Sequence, residues 1–127
     1  MNTGRKTILQ KGRGQARKQA KYEYLYEKDS RYFAQVAETV KDMAAQELKE
    51  LGAVSLEPVF RGIWFKASRK DFYRIVYFSR LVSRVLAPLV TFECKDKDEL
   101  YRAAKKIRWE EFLTPKKTFS IMANVSE

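Results

Sequence analysis

Two helix-period stretches separated by a hairpin signal constrain this chain more than any other feature. Thr39 stands where a helix start needs a cap, with Asp42 three positions on. Val40, Met43, Ala44, Leu48 and Leu51 then recur at helical spacing until Gly52 supplies the stop. Ser68 and Asp71 open a second helix in the same way, with Phe72, Ile75, Val76 and Ser79 on its inner face and Tyr73, Tyr77 and Arg80 off it. Between the helices lie two short extended runs, residues 55–60 and 63–67, hinged at Arg61-Gly62. A glycine there makes a tight turn cheap, because it tolerates positive φ. Pro58 lacks an amide donor, which puts its strand at an edge or a bulge.

A strand over residues 32–37 precedes the first helix, and residues 85–92 read as one after the second, interrupted by Pro88. The order is therefore β-α-β-β-α-β with a central hairpin, an α+β chain of ferredoxin-like, split βαβ type. Asp96 and Glu99 form another capping pair ahead of Leu100, Ala103, Ala104 and Ile107. A turn holding Trp109, Phe112 and Pro115 leads to an alternating run, Phe119, Ile121, Ala123 and Val125, expected to be a final strand. The expected organisation is a basic, flexible extension over residues 1–31, a ferredoxin-like domain over 32–93 and a following αβ unit over 94–127. Tyr22, Tyr24 and Tyr26 alternate within the extension, as a short strand or as contacts made on binding.

Charge is distributed unevenly. The formal net charge is +10, and +7 of it comes from Arg5, Lys6, Lys11, Arg13, Arg17, Lys18 and Lys21, with no acid before residue 22. A tail of that kind attracts phosphate at long range without reading sequence, so a polyanion, nucleic acid first, is the expected partner. The rival is a tail that only solubilises. A single cysteine, Cys94, excludes an intramolecular disulfide and makes a reduced, cytoplasmic setting the default. No apolar run approaches the roughly 20 residues a membrane span needs, so no membrane partner is expected. An Arg-rich, acid-poor start also fits an organelle transit peptide.

The residues exclude most catalytic chemistry. There is no histidine, which removes Ser-His and Cys-His pairs and histidine metal sites, and one thiol cannot build a zinc site. Gly12-Arg13-Gly14 follows no strand and is a linker feature, not a cofactor turn. Glu110-Glu111 and Asp96/Asp98 are adjacent or cap-like carboxylates. No catalytic residue, metal site or cofactor is expected in this chain. The cations of the body, Arg61, Lys66, Arg80, Arg84, Lys105, Lys106, Lys116 and Lys117, join the tail as candidate RNA-binding residues. Solvated helix faces account for many such side chains, and phosphate binding needs several of them on one surface. Trp64, Phe65, Trp109 and Phe112 are read as core in preference to base-stacking groups.

The order of residues carries a resemblance. The segment from Thr39 to Ala53, Val59-Phe60-Arg61-Gly62-Ile63-Trp64-Phe65, Ser83-Arg84-Val85-Leu86, Asp98-Glu99-Leu100-Tyr101 with Ile107-Arg108-Trp109, and the run from Phe119 to Ser126 occur in that order. Together they resemble the bacterial THUMP-containing ribosomal RNA guanine-N2 methyltransferases, over about residues 31–127. The resemblance implies a ferredoxin-like part followed by the beginning of a THUMP domain, a module associated with recognising structured RNA. It also implies a parent enzyme whose methylase domain uses S-adenosylmethionine to methylate ribosomal RNA. The family's methylase motif has two adjacent prolines after an Asn or Asp. Here Pro58, Pro88 and Pro115 stand apart, so the expected role is non-catalytic: holding structured, ribosomal RNA for a methylase domain. The basic tail is not part of the resemblance. The alternative is a protein-interaction module built on the same sheet.

Overall fold

The structure is a computed structural model that describes residues 23–125. Strand β1 (Arg31–Gln35) is central. Helix α2 (Lys41–Glu50) leads from it to a hairpin of β2 (Val54–Val59) and β3 (Gly62–Lys66). Helix α3 (Arg69–Phe78) then returns the chain to β4 (Arg84–Leu86), and the spatial order is β2-β3-β1-β4, with every pairing antiparallel. This is the expected ferredoxin-like arrangement. A short helix before β1, α1 (Leu25–Asp29), and a later one, α4 (Lys97–Lys106), complete the helices among the described residues.

Strand alternation divides the sheet into two faces. Tyr32, Ala34 and Val36 along the β1 segment, with Ile63, Phe65 and Ala67 along β3, point to the helices and meet Ala44, Leu48 and Ile75 in one buried cluster. Phe65 is thus core, as expected. Two apolar positions assigned to helix inner faces are instead exposed, Met43 and Val76. The core is filled without them, because Ala44 and Leu48 on α2 and Ile75 on α3 already reach the sheet.

Local caps explain some boundaries and fail at others. The Ser68 hydroxyl accepts from the Asp71 N–H at 3.1 Å, and the Asp96 carboxylate accepts from the Glu99 N–H at 2.8 Å, so both expected caps form. Thr39 does not cap α2. A 3-10 turn (Glu38–Val40) intervenes, and its Glu38 carboxylate accepts from the Lys41 ammonium and from the Arg61 N–H at the hairpin tip. Those two donors, Lys41 first and the Arg61 amide second, hold Glu38 below its ordinary pKa of 4.5. A depressed carboxylate stabilises the fold above the unfolded value and loses that contribution as pH falls through the folded one. Glu38→Gln should therefore melt lower than the unaltered protein at neutral pH, with the gap closing in acid. Thermal melts across the acid limb check this; a gap independent of pH would show that the contact is not ionic.

Four further expectations are corrected. Gly62 does not take positive φ; Arg61 does, at 59°. Gly62 is required for space instead, since a Cβ there would lie 2.1 Å from the Phe33 ring and 2.6 Å from the Ala34 carbonyl oxygen. The strand over 85–92 stops at Leu86, because the Pro88 and Leu89 carbonyls accept from the Tyr26 and Leu25 N–H groups of α1 rather than from a neighbouring strand. Tyr24 and Tyr26 accordingly belong to a helix start, not to a strand. The run from Phe119 to Val125 forms no strand either: no described strand pairs with it, and Phe119, Ile121, Met122 and Val125 are exposed.

The connection between α3 and β4 hangs on one carboxylate. Glu47 of α2 accepts from the Ser79 hydroxyl and from the Arg80 and Leu81 N–H groups, the latter two at 3.0 and 3.3 Å. Ser83 then donates its N–H to the Gln35 carbonyl at 2.9 Å, which sets β4 beside β1.

Candidate nucleic-acid interface

The face of the sheet turned away from the helices is built by the other half of the alternation. Arg31 lies opposite Lys66, Phe33 opposite Trp64, and Gln35 opposite Gly62. On the other side of β1, Phe33 meets Leu86 and Gln35 meets Arg84. Residues directly opposite share a face. The outer surface therefore carries two aromatic rings at its centre with cations toward both ends. The rings of Phe33 and Trp64 are 5.0 Å apart and inclined at 62°, and both residues are half-buried. The Arg31 guanidinium sits 4.5 Å over the Trp64 ring and pairs with Glu57 of β2 at 2.8 Å.

Of the expected cations, Lys66 and Arg84 lie on this face and Arg61 stands at the adjoining hairpin tip, its guanidinium 5.2 Å over the exposed Phe60 ring. Arg80 follows α3, with its N–H on Glu47. Lys105 and Lys106 close α4, Lys105 lying 5.5 Å over Tyr101. Lys116 and Lys117 sit in the turn after a second 3-10 segment (Trp109–Glu111), with Lys117 donating to the Phe112 carbonyl at 3.5 Å. The sheet thus gathers Lys66 and Arg84 of the expected cations, while Arg80 stands after α3 and Lys105, Lys106, Lys116 and Lys117 stand on α4 and its following turn. Arg5, Lys6, Lys11, Arg13, Arg17, Lys18 and Lys21 lie outside the described residues.

Arg31 is a surface cation that the sequence pattern had placed in the extension. The signal was present: Arg31, Phe33 and Gln35 are the complement of the apolar set Tyr32, Ala34 and Val36. Arg108 is engaged instead by Glu110 and Glu111, at 3.4 and 3.2 Å. Of the remaining aromatics, Trp109 is 43% exposed and its indole N–H donates to the Ala104 carbonyl at 2.8 Å, closing α4. Phe112 packs on the buried Tyr24 at 5.2 Å but is itself only half-buried and lies outside the core cluster, so it, like Trp109, departs from the expected core role.

Nothing among the described residues fits S-adenosylmethionine. Gly52 follows α2 and Gly62 opens β3, so neither supplies the glycine turn between a strand and a helix that cradles such a cofactor. A cleft of about 740 Å³ between α1, α3 and Phe112 is lined by the rings of Tyr26, Tyr32, Phe72 and Tyr73 together with Glu27 and Arg69. No helix of the described residues is long and apolar enough to cross a membrane.

The sheet order and the following cap-and-helix unit define the class: a ferredoxin-like domain joined to the opening of a second α/β module. Comparison with known families agrees with that division. Residues 31–86 match the RlmL ferredoxin-like domain and residues 94–127 match the THUMP domain. The chain therefore carries, in that order, an RlmL-type ferredoxin-like domain and THUMP sequence. It is 46% identical over 90 residues to the "Putative RNA methyltransferase slr0064" of Synechocystis sp., a match covering 71% of this chain and 23% of that protein. It is 37% identical over 95 residues to the Ribosomal RNA large subunit methyltransferase K/L of Syntrophotalea carbinolica, covering 75% of this chain and 13% of that protein. The chain therefore spans less than a quarter of the length of either relative.

Proposed function

We propose that this chain is an RNA-holding segment of an S-adenosylmethionine-dependent ribosomal RNA methyltransferase acting on guanine N2, and that it contributes binding and positioning but no reacting group. The observation that carries the reading is the succession of an RlmL-type ferredoxin-like domain and THUMP sequence in one chain. The basic balance of the chain supports it, because each lysine or arginine set against a phosphate releases a counterion. Contacts of this kind position the RNA and recognise its shape without reading base edges. S-adenosylmethionine belongs, on this reading, to a methylase domain that the segment serves, and the setting is the cytoplasm.

The test is a salt titration of structured ribosomal RNA binding by the full chain and by a form lacking residues 1–21. Removing seven cations should lower the slope of log affinity against log salt by several units, at about 0.9 for each phosphate no longer neutralised. Saturable, salt-sensitive binding by the full chain supports the proposal, and its absence in both forms overturns it. Binding that survives undiminished without residues 1–21 would assign the interaction to the folded body alone. The exposed Phe119, Ile121, Met122 and Val125 favour the rival, a protein-docking module, which would then hold.

A further inference from the structure

We propose that the outer face of the sheet is a stacking platform for a short stretch of single-stranded RNA, with Phe33 and Trp64 as the rings on which successive bases lie. The inference rests on the RNA-binding reading above and adds to it a ligand class, unpaired nucleotides, and the residues that hold them.

The first support is that these rings are not needed where they are. The helix side of the sheet is filled by Ala34, Ile63 and Phe65 against Ala44, Leu48 and Ile75. Phe33 and Trp64 project the other way, side by side at the centre of adjacent strands, and are only half-buried. Four-stranded sheets with helices on one side use central-strand aromatics of this kind to stack bases. The second support is the glycine beneath them. Gly62 lacks the Cβ that would strike the Phe33 ring, so the ring can lie down across β3 beside Trp64.

Charge selects the occupant. Arg31 and Lys66 stand at one end of the face and Arg84 at the other, separated by the length of β1 from Arg31 to Gln35, about 13 Å at the usual strand rise. A strand of two or three nucleotides has its bases at the centre of such a surface and its phosphates toward the ends. Glu57 is the acid on this face, and it pairs with Arg31. In the free protein the Arg31 guanidinium occupies the place over Trp64 that a base would take. Its ion pair joins side chains 40% and 62% exposed, so it holds weakly and yields to a phosphate. A helical RNA keeps its bases stacked on one another and cannot use the rings, which is why the ligand is single-stranded.

The experiment uses the full chain with a short oligoadenylate and with an RNA duplex of equal charge. Trp64 emission should be quenched saturably by the oligoadenylate and much less by the duplex. Trp64→Leu should weaken oligoadenylate binding about tenfold, the usual effect of losing one stacked base, and leave the salt slope unchanged. Trp64→Phe should keep the affinity within about twofold, since a ring remains to stack on, and abolish the quench. Phe33→Leu should act like Trp64→Leu. If both leucine variants fold, as circular dichroism reports, and bind the single strand as tightly as the unaltered chain, the platform is overturned while RNA binding stands. If neither RNA binds the unaltered chain, the platform and the proposed function fall together. A protein ligand captured by the face, with oligoadenylate ignored, also overturns it.

Discussion

Gly62→Ala should be among the most damaging single substitutions in the folded body. The new methyl would sit 2.1 Å from one Phe33 ring carbon and 2.6 Å from the Ala34 carbonyl oxygen. The ring can rotate away, but the carbonyl belongs to the central strand and moves only if the β1–β3 ladder opens. Forcing atoms into a packed site costs about 1–3 kcal/mol, and a backbone clash of this severity belongs at or above the upper end. Chemical denaturation should show a drop of about 3 kcal/mol or more in stability, with Phe33 displaced from the outer face. Binding of single-stranded RNA should weaken with it. A drop below about 1 kcal/mol would mean that the two strands separate more easily than their pairing implies.

That position also shows why part of the molecule was legible in the sequence and part was not. A glycine beside a hairpin is correctly read as structurally required, but the turn is Phe60-Arg61, one residue before the expected Arg61-Gly62. The reason is non-local: Arg61 takes the left-handed conformation, and Gly62 makes room for a residue 29 positions earlier in the chain. Ser68 with Asp71 and Asp96 with Glu99 were readable because a cap is a contact across three residues. Glu47 was not, since its partners Ser79, Arg80 and Leu81 are more than thirty positions away, and an i,i+4 view of α2 shows it only as a solvated carboxylate.

The interface divides along the same line. Which cations exist was plain from composition, but which share a surface depends on strand register. Lys66 and Arg84 come to one face because β1 pairs with β3 at Arg31–Lys66 and with β4 at Gln35–Arg84. Pattern alone gives each strand's parity, not its neighbour's alignment. Trp64 illustrates the point further. Read beside Phe65, it shared that residue's assignment to the core; strand alternation puts one ring inside and the other out. The strand over 85–92 was overextended for a similar reason. Its apolar residues suit a strand, while the amides that take the carbonyls after Leu86 come from a helix about sixty residues upstream.

Tyr24→Ala should lower the thermal midpoint by at least roughly 12 °C, although the residue lies in a stretch that composition marks as an extension. Tyr24 is 1% exposed, and its contacts bind three parts of the chain. Its ring stacks on Tyr26 at 6.2 Å and packs on Phe112 at 5.2 Å, while its hydroxyl accepts from the Arg108 N–H at 3.2 Å. Tyr26 continues to Tyr32 and so to Phe72, at 6.2 and 4.3 Å between rings. An aromatic chain thus runs from the turn after α4, through α1, into the core of the ferredoxin-like sheet. Removing its first ring opens a void at a junction with little else to close it. Tyr24→Phe keeps the ring but leaves the Arg108 N–H without its acceptor, and should cost a smaller fraction of the same shift. Burial holds the Tyr24 phenol above its ordinary pKa of 10.0. The neutral group therefore favours the fold below pH 10, and that contribution is lost as the pH climbs through the raised value. Tyr24→Phe should accordingly be less sensitive to alkali than the unaltered chain. A midpoint for Tyr24→Ala within a degree or two of the unaltered protein would show that α1 and the turn after α4 are held together by something else.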